Sequence, residues 1–174
     1  MKKNNYHHSF LKKISNNLYG KEILKIIEVK DEDGDVIDNV IFIETKDNGV
    51  VGFYINGSNP LISTNEIDEF DSFNLYALYE KLTSTEKNIP SHFEVDYLEV
   101  FFHPEYNELL AIYLTSHDFL SSLLIVFLTD EINIFPDINK DEIINVIKDN
   151  LIQFKDSKLL SFHKEKGNES WIES

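Results

Sequence analysis

Three groups of side chains in this 174-residue sequence have types and spacings that chemistry could use. His92, Glu94 and Asp96 share one parity of a strand-like run, which would turn an imidazole and two carboxylates to the same side for acid–base work or metal binding. His117-Asp118, with Ser121 and Ser122 close behind, holds the residue types of a hydrolase triad. The Gly-x-Ser-x-Gly elbow that would expose such a serine is missing. Asp31, Asp33 and Asp35 offer hard oxygen ligands at alternate positions, as a calcium loop does. Counted from Asp31, however, the positions that want glycine and a bidentate glutamate hold Val36 and Phe42. A tight strand-to-strand turn on Asp33-Gly34 accounts for the same residues without a metal.

Other chemistry lacks its raw material. With no cysteine there is no thiolate nucleophile, disulfide or thiolate metal site. His7 and His8 are adjacent and point apart on a helix, and His103 before Pro104 reads as part of a turn. No histidine pair has metal-binding helical spacing, and Gly49, Gly52 and Gly57 form no phosphate-cradling loop. Carboxylate pairs are uninformative in a chain with 31 acids. The expectation is a protein with no catalytic residue, no metal and no cofactor. The alternative is an enzyme with an unrecognised carboxylate and histidine site on the His92, Glu94, Asp96 face.

Charge carries more information. The formal net charge is −15, and all 16 basic residues are lysine. Without arginine the chain lacks the planar fork that reads phosphates and guanine edges, and its net charge repels nucleic acid. The acidity is concentrated: residues 1–30 carry +5, residues 31–154 carry −20, and residues 155–174 are neutral. Such a field steers a basic protein toward the surface and repels anionic lipid. Acids cluster at Asp31 to Asp38, Glu66 to Asp71 and Glu94 to Glu99, beside Phe70, Phe73, Phe93 and Tyr97. Rings among carboxylates suit an interface with a basic partner, although the same rings also suit a core. This assigns to a partner Asp31, Asp33, Asp35, Glu66, Asp68, Glu69, Asp71, Glu94, Asp96 and Tyr97.

The elements that must carry these residues follow from periodicity. Phe10, Leu11, Ile14 and Leu18 predict an N-terminal helix ended by Gly20. Ile23 to Val29, Val40 to Thr45 and Val50 to Ile55 read as an antiparallel meander, apolar on both parities and therefore covered on both faces. A middle helix starts near Asp71 or Ser72 and carries Leu75, Leu78, Tyr79 and Leu82. Strands follow at Phe93 to Phe102, Leu109 to Thr115, Leu123 to Leu128 and Ile132 to Phe135. Asn139 and Glu142 cap a last helix whose apolar face is Ile143, Ile147, Leu151 and Phe154. The fold class is α+β: one antiparallel twisted sheet of about six to seven strands packed with N-terminal, middle and C-terminal helices. One domain is expected over residues 1–156, with 157–174 as a polar C-terminal tail. No signal peptide is readable, and the longest apolar run, Leu123 to Leu128, is too short to span a bilayer, so the expected location is the cytoplasm.

In size, cysteine-free acidity and the three clusters, the chain resembles the small acidic immunity proteins of bacterial toxin systems, including those of contact-dependent inhibition. The resemblance is one of type over the whole chain and rests on no shared motif. It implies a non-catalytic inhibitor whose carboxylates cover the lysines and arginines of a nuclease toxin. A nucleic-acid mimic, occupying the groove of a DNA-binding protein, is the related reading with a different partner.

Overall fold

The apolar stripe of Phe10, Leu11, Ile14 and Leu18 forms helix α1 (Lys3–Leu18), and all four side chains are buried. Gly20 ends it at a φ of 68°, a left-handed conformation that glycine adopts without a side-chain clash. The computed structural model describes residues 3–46, 49–57, 59–63, 69–70, 73–74, 83–87 and 92–174. Strands β1 (Glu22–Lys30), β2 (Val36–Thr45) and β3 (Gly49–Tyr54) form the anticipated antiparallel meander. The turn between β1 and β2 is built by Asp31, whose Oδ1 accepts hydrogen bonds from the backbone N–H of Asp33 at 3.0 Å and of Asp35 at 2.9 Å. Gly34, at a φ of 88°, completes it.

Strands β4 (Leu61–Ser63), β7 (Thr83–Lys87) and β8 (Phe93–Glu94) complete the first sheet, ordered β4-β3-β2-β1-β7, with β8 also on β1. Between β4 and β7, β5 (Glu69–Phe70) and β6 (Phe73–Asn74) pair with each other. Of the middle helix read from Asp71 or Ser72 onward, Phe73 and Asn74 instead form strand β6, and residues 71–72 and 75–82 lie outside the described residues.

The chain changes sheets between two neighbouring residues. Val95 exchanges backbone hydrogen bonds with Gly20 and Lys21 beside the first sheet, whereas Asp96 donates to the Thr115 carbonyl in the second. The α+β class with antiparallel strands is as expected, and the strands divide between two sheets. The second contains β9 (Tyr97–Phe102), β10 (Leu109–Thr115), β11 (Ser122–Phe127) and β12 (Ile132–Pro136). With β13 (Leu160–Glu165) and β14 (Ile172–Glu173) its order is β12-β11-β10-β9-β13-β14.

Residues 157–174 are thus not a polar tail. β13 pairs along the whole of β9, and Leu160, Phe162 and Trp171 pack against the main core. Only one face of this strand meets apolar neighbours, so its sequence alternates and reads as polar.

The two sheets face each other across that core. Leu98, Val100 and Phe102 of β9, with Leu123, Ile125 and Phe127 of β11, meet Ile41, Ile43, Val51 and Phe53 of the first sheet. The Phe53 and Phe127 ring centroids are 5.8 Å apart. The alternate residues of β9 to β11 face outward onto helix α2 (Ile143–Asn150), where Tyr97, Phe101, Tyr113, Leu124 and Val126 surround Ile143, Ile147 and Leu151. Both faces of the second sheet are buried, which is why its central strands read as unbroken apolar runs. Ahead of α2, the Asn139 side chain accepts from the Asp141 N–H and caps a short 3-10 turn.

Candidate functional site

Of the three acidic clusters, the two within the described residues, Asp31 to Asp38 and Glu94 to Glu99, do not converge. Asp31, Asp33 and Asp35 are exposed at the tip of the β1–β2 hairpin. Glu94 pairs with Glu22 at the other end of β1, and at about 3.3 Å per residue those ends are roughly 26 Å apart. At that far end lysines neutralise the acids: Lys166 meets Asp96 at 2.9 Å and Glu94 at 3.8 Å, Lys46 meets Glu22 at 3.0 Å, and Lys25 meets Glu44 at 3.2 Å. Glu66, Asp68 and Asp71 lie outside the described residues, and Glu69 is described only through its backbone in β5.

Tyr97, expected as an aromatic anchor for a partner, is instead 6 % exposed and belongs to the core. Its hydroxyl donates to Glu99 Oε2 at 2.7 Å, and Ser161 of β13 donates to Glu99 Oε1 at 2.8 Å. The buried carboxylate thus has both oxygens occupied, and it ties two residues of its own strand's face to the neighbouring strand. The His163 ring stacks on Tyr97 at 5.7 Å, and Lys140 Nζ sits 4.2 Å above the same ring. Burial, reinforced by the hydrogen bond to Glu99, holds the Tyr97 phenol well above the ordinary tyrosine range. Phe93 is also buried, whereas Phe119 and Leu120, which the sequence did not single out, are exposed on the loop between β10 and β11.

A different set of acids comes together at the hairpin end of the molecule. Two adjoining concavities of about 350 and 430 Å³ share Asp38, Glu131 and Asn150 in their walls. Asp130 lines the first and Glu28 the second, and among the described residues no lysine lines either. Asp38 and Glu28 come from the hairpin strands, Asp130 and Glu131 from the turn between β11 and β12. That turn is held by Leu128 N–H donating to the Glu131 carbonyl at 2.8 Å and by Gly57 N–H donating to the Thr129 carbonyl at 2.8 Å. On the far wall Asn133 donates to Asn150 Oδ1 at 3.1 Å, and Asn150 donates to the Val146 carbonyl at 2.9 Å, so the groove is fixed to α2. Among the described residues Asp38, Asp130 and Glu131 form no ion pair. Together with the hairpin tip they make one end of the molecule negative.

The sequence missed this groove because its acids are scattered along the chain. Asp38 ends the Asp31 to Asp38 cluster, Asp130-Glu131 is a short turn after an apolar strand, and Glu28 alternates with buried residues. Only the packing of the second sheet against the first brings position 131 to positions 28 and 38.

The arrangements that resemble enzyme sites carry structural duties. The His103 ring accepts at Nδ1 from the backbone N–H of Glu105 and of Tyr106, both at 3.2 Å. With Nδ1 an acceptor, the neutral ring carries its proton on Nε2, which faces Ser157 Oγ at 3.2 Å. That tautomer donates to the serine and cannot take its proton, the reverse of what a nucleophile's base must do. His103 therefore closes the turn anticipated for it, stacked on Tyr106 at 4.5 Å and tilted against Phe154 at 4.7 Å. In the 116–122 loop Asp118 accepts from Ser116 Oγ at 2.6 Å and from Leu120 N–H, while Ser122 Oγ donates to the Ile138 carbonyl. Those bonds shape the turn that holds Phe119 at a φ of 59°. His92 and Glu94 are exposed, and Asp96 turns to Lys166. Among the described residues no group of three or more histidine and carboxylate side chains is arranged to hold a metal ion.

No helix among the described residues is long and apolar enough to cross a membrane. Comparison of the chain with protein-family models, with curated proteins and with solved structures gives no match.

Proposed function

We propose that this chain is a non-catalytic acidic binding protein that neutralises a basic protein partner, in the manner of an immunity protein covering the cationic active site of a nuclease toxin. The observation that supports the reading is the segregation of charge. Lysines pair with acids at one end of β1, while Asp38, Asp130 and Glu131 line a groove at the other that no lysine lines among the described residues. Unpaired carboxylates on a concave, protein-walled surface strengthen the field felt by an approaching cation.

The test begins with affinity capture of the partner from the native host, followed by association kinetics with the parent chain and with a variant carrying Asp38→Lys, Asp130→Lys and Glu131→Lys. We expect a basic partner, and an association rate at low salt that falls at least about tenfold in the variant and loses most of its salt dependence. A captured partner without a basic surface, or an unchanged on-rate, would remove the groove from the account.

A further inference from the structure

β12 is the last strand of the second sheet, and among the described residues it pairs only with β11. The phase of that pairing is fixed at both ends, by Leu128 N–H on the Glu131 carbonyl and Asp137 N–H on the Ser122 carbonyl. In an antiparallel ladder alternate residues face the neighbour, so Glu131, Asn133, Phe135 and Asp137 turn their backbone groups toward β11. Ile132 and Ile134 therefore direct N–H and C=O away from the sheet, and Pro136 directs a carbonyl. Among the described residues those outward groups have no hydrogen-bond partner.

This open edge is also a wall of the acidic groove. The 430 Å³ concavity runs along Ile132 to Phe135 and is flanked by Glu28, Asp38 and Glu131. An exposed edge is a template for another strand, and proteins commonly guard it with lysine or an inward-pointing charge. Here the guarding charges among the described residues are all negative. A second copy of this chain docked edge to edge would bring its own Glu131 and Asp38 against these, whereas an extended segment carrying lysine or arginine would be complementary.

We propose that the β12 edge accepts an extended, lysine- or arginine-bearing segment of the partner by strand addition. Its backbone bonds Ile132 and Ile134, and its cationic side chains meet Asp38 and Glu131. The inference rests on the basic-partner reading and adds to it the mode of binding. Main-chain hydrogen bonds supply attachment and alternate side chains supply selectivity, as in other strand-addition complexes.

The probe is a capped eight-residue peptide of alternating lysine and valine, compared with the same peptide methylated at every backbone nitrogen, which keeps the charge but has no N–H to donate. Binding to the full chain is measured by titration calorimetry, and amide exchange by NMR. The expected result is binding at least tenfold tighter for the unmethylated peptide, with the Ile132 and Ile134 amides exchanging at least tenfold more slowly in the complex. Equal binding of the two peptides, or no protection in β12, overturns strand addition while leaving a groove that attracts cations. If neither peptide binds, strand addition is likewise overturned, and the capture and kinetic experiment, which needs no peptide, decides the wider reading by itself.

Discussion

Glu99 illustrates how a residue that resembled part of a binding surface became a fixture of the core. It is 8 % exposed and accepts from both Tyr97 and Ser161. Glu99→Ala strips the acceptor from two buried hydroxyls, and a buried donor left unmatched costs about 1–3 kcal/mol. Urea unfolding should register that loss for Glu99→Ala and a smaller one for Glu99→Gln, which keeps an acceptor; equal losses would contradict the hydrogen-bond account. Tyr97 adds a pH dependence. Burial and Glu99 raise its phenol above the unfolded value of about 10, so the folded state holds the proton more tightly than the unfolded one. Its contribution to stability is complete below pH 10 or so and is lost as the pH rises above that. Tyr113, raised by burial, acts in the same direction. Tyr97→Phe should therefore weaken the alkaline fall in stability measured by denaturant titration between about pH 9 and 11.

At the scale of elements, β13 decides whether the second sheet is complete. It hydrogen-bonds along all of β9, carries Ser161 to Glu99, and lays Leu160 and Phe162 against the main core. A chain ending at Lys158 would expose the β9 edge and part of that core, and we expect it to lose cooperative thermal unfolding or to aggregate. An unchanged melting transition would mean that residues 159–174 are dispensable, as a tail would be. β12, at the other edge, is the opposite case: among the described residues it pairs only with β11, and the proposed strand addition would complete it.

For the molecule as a whole, the two ends of β1 differ in electrostatic character. Asp38, Asp130 and Glu131 are exposed and form no ion pair among the described residues, so the triple variant should melt no lower than the parent at low salt even as association slows. Loss of both stability and binding would instead point to a structural role for those acids. The contrast matters because carboxylates kept for binding and carboxylates kept for the fold respond oppositely to removal: Glu99 should weaken the fold, and Asp38, Asp130 and Glu131 only the association.

The sequence alone determined what depends on neighbouring residues. Helical spacing identified α1 and α2, alternating and continuous apolar runs identified β1 to β3 and β9 to β12, and the Asp33-Gly34 turn followed from local backbone preference, because each is set within a few residues of chain. The tertiary structure decided what depends on distant ones. The switch between sheets at Val95 and Asp96, the docking of β13 on β9, the bond from Ser161 to Glu99 and the placing of Asp38 and Glu131 in one groove all join positions tens of residues apart. An exposed acid and a buried one have the same letter, and only the pairing of strands settles which is left facing water.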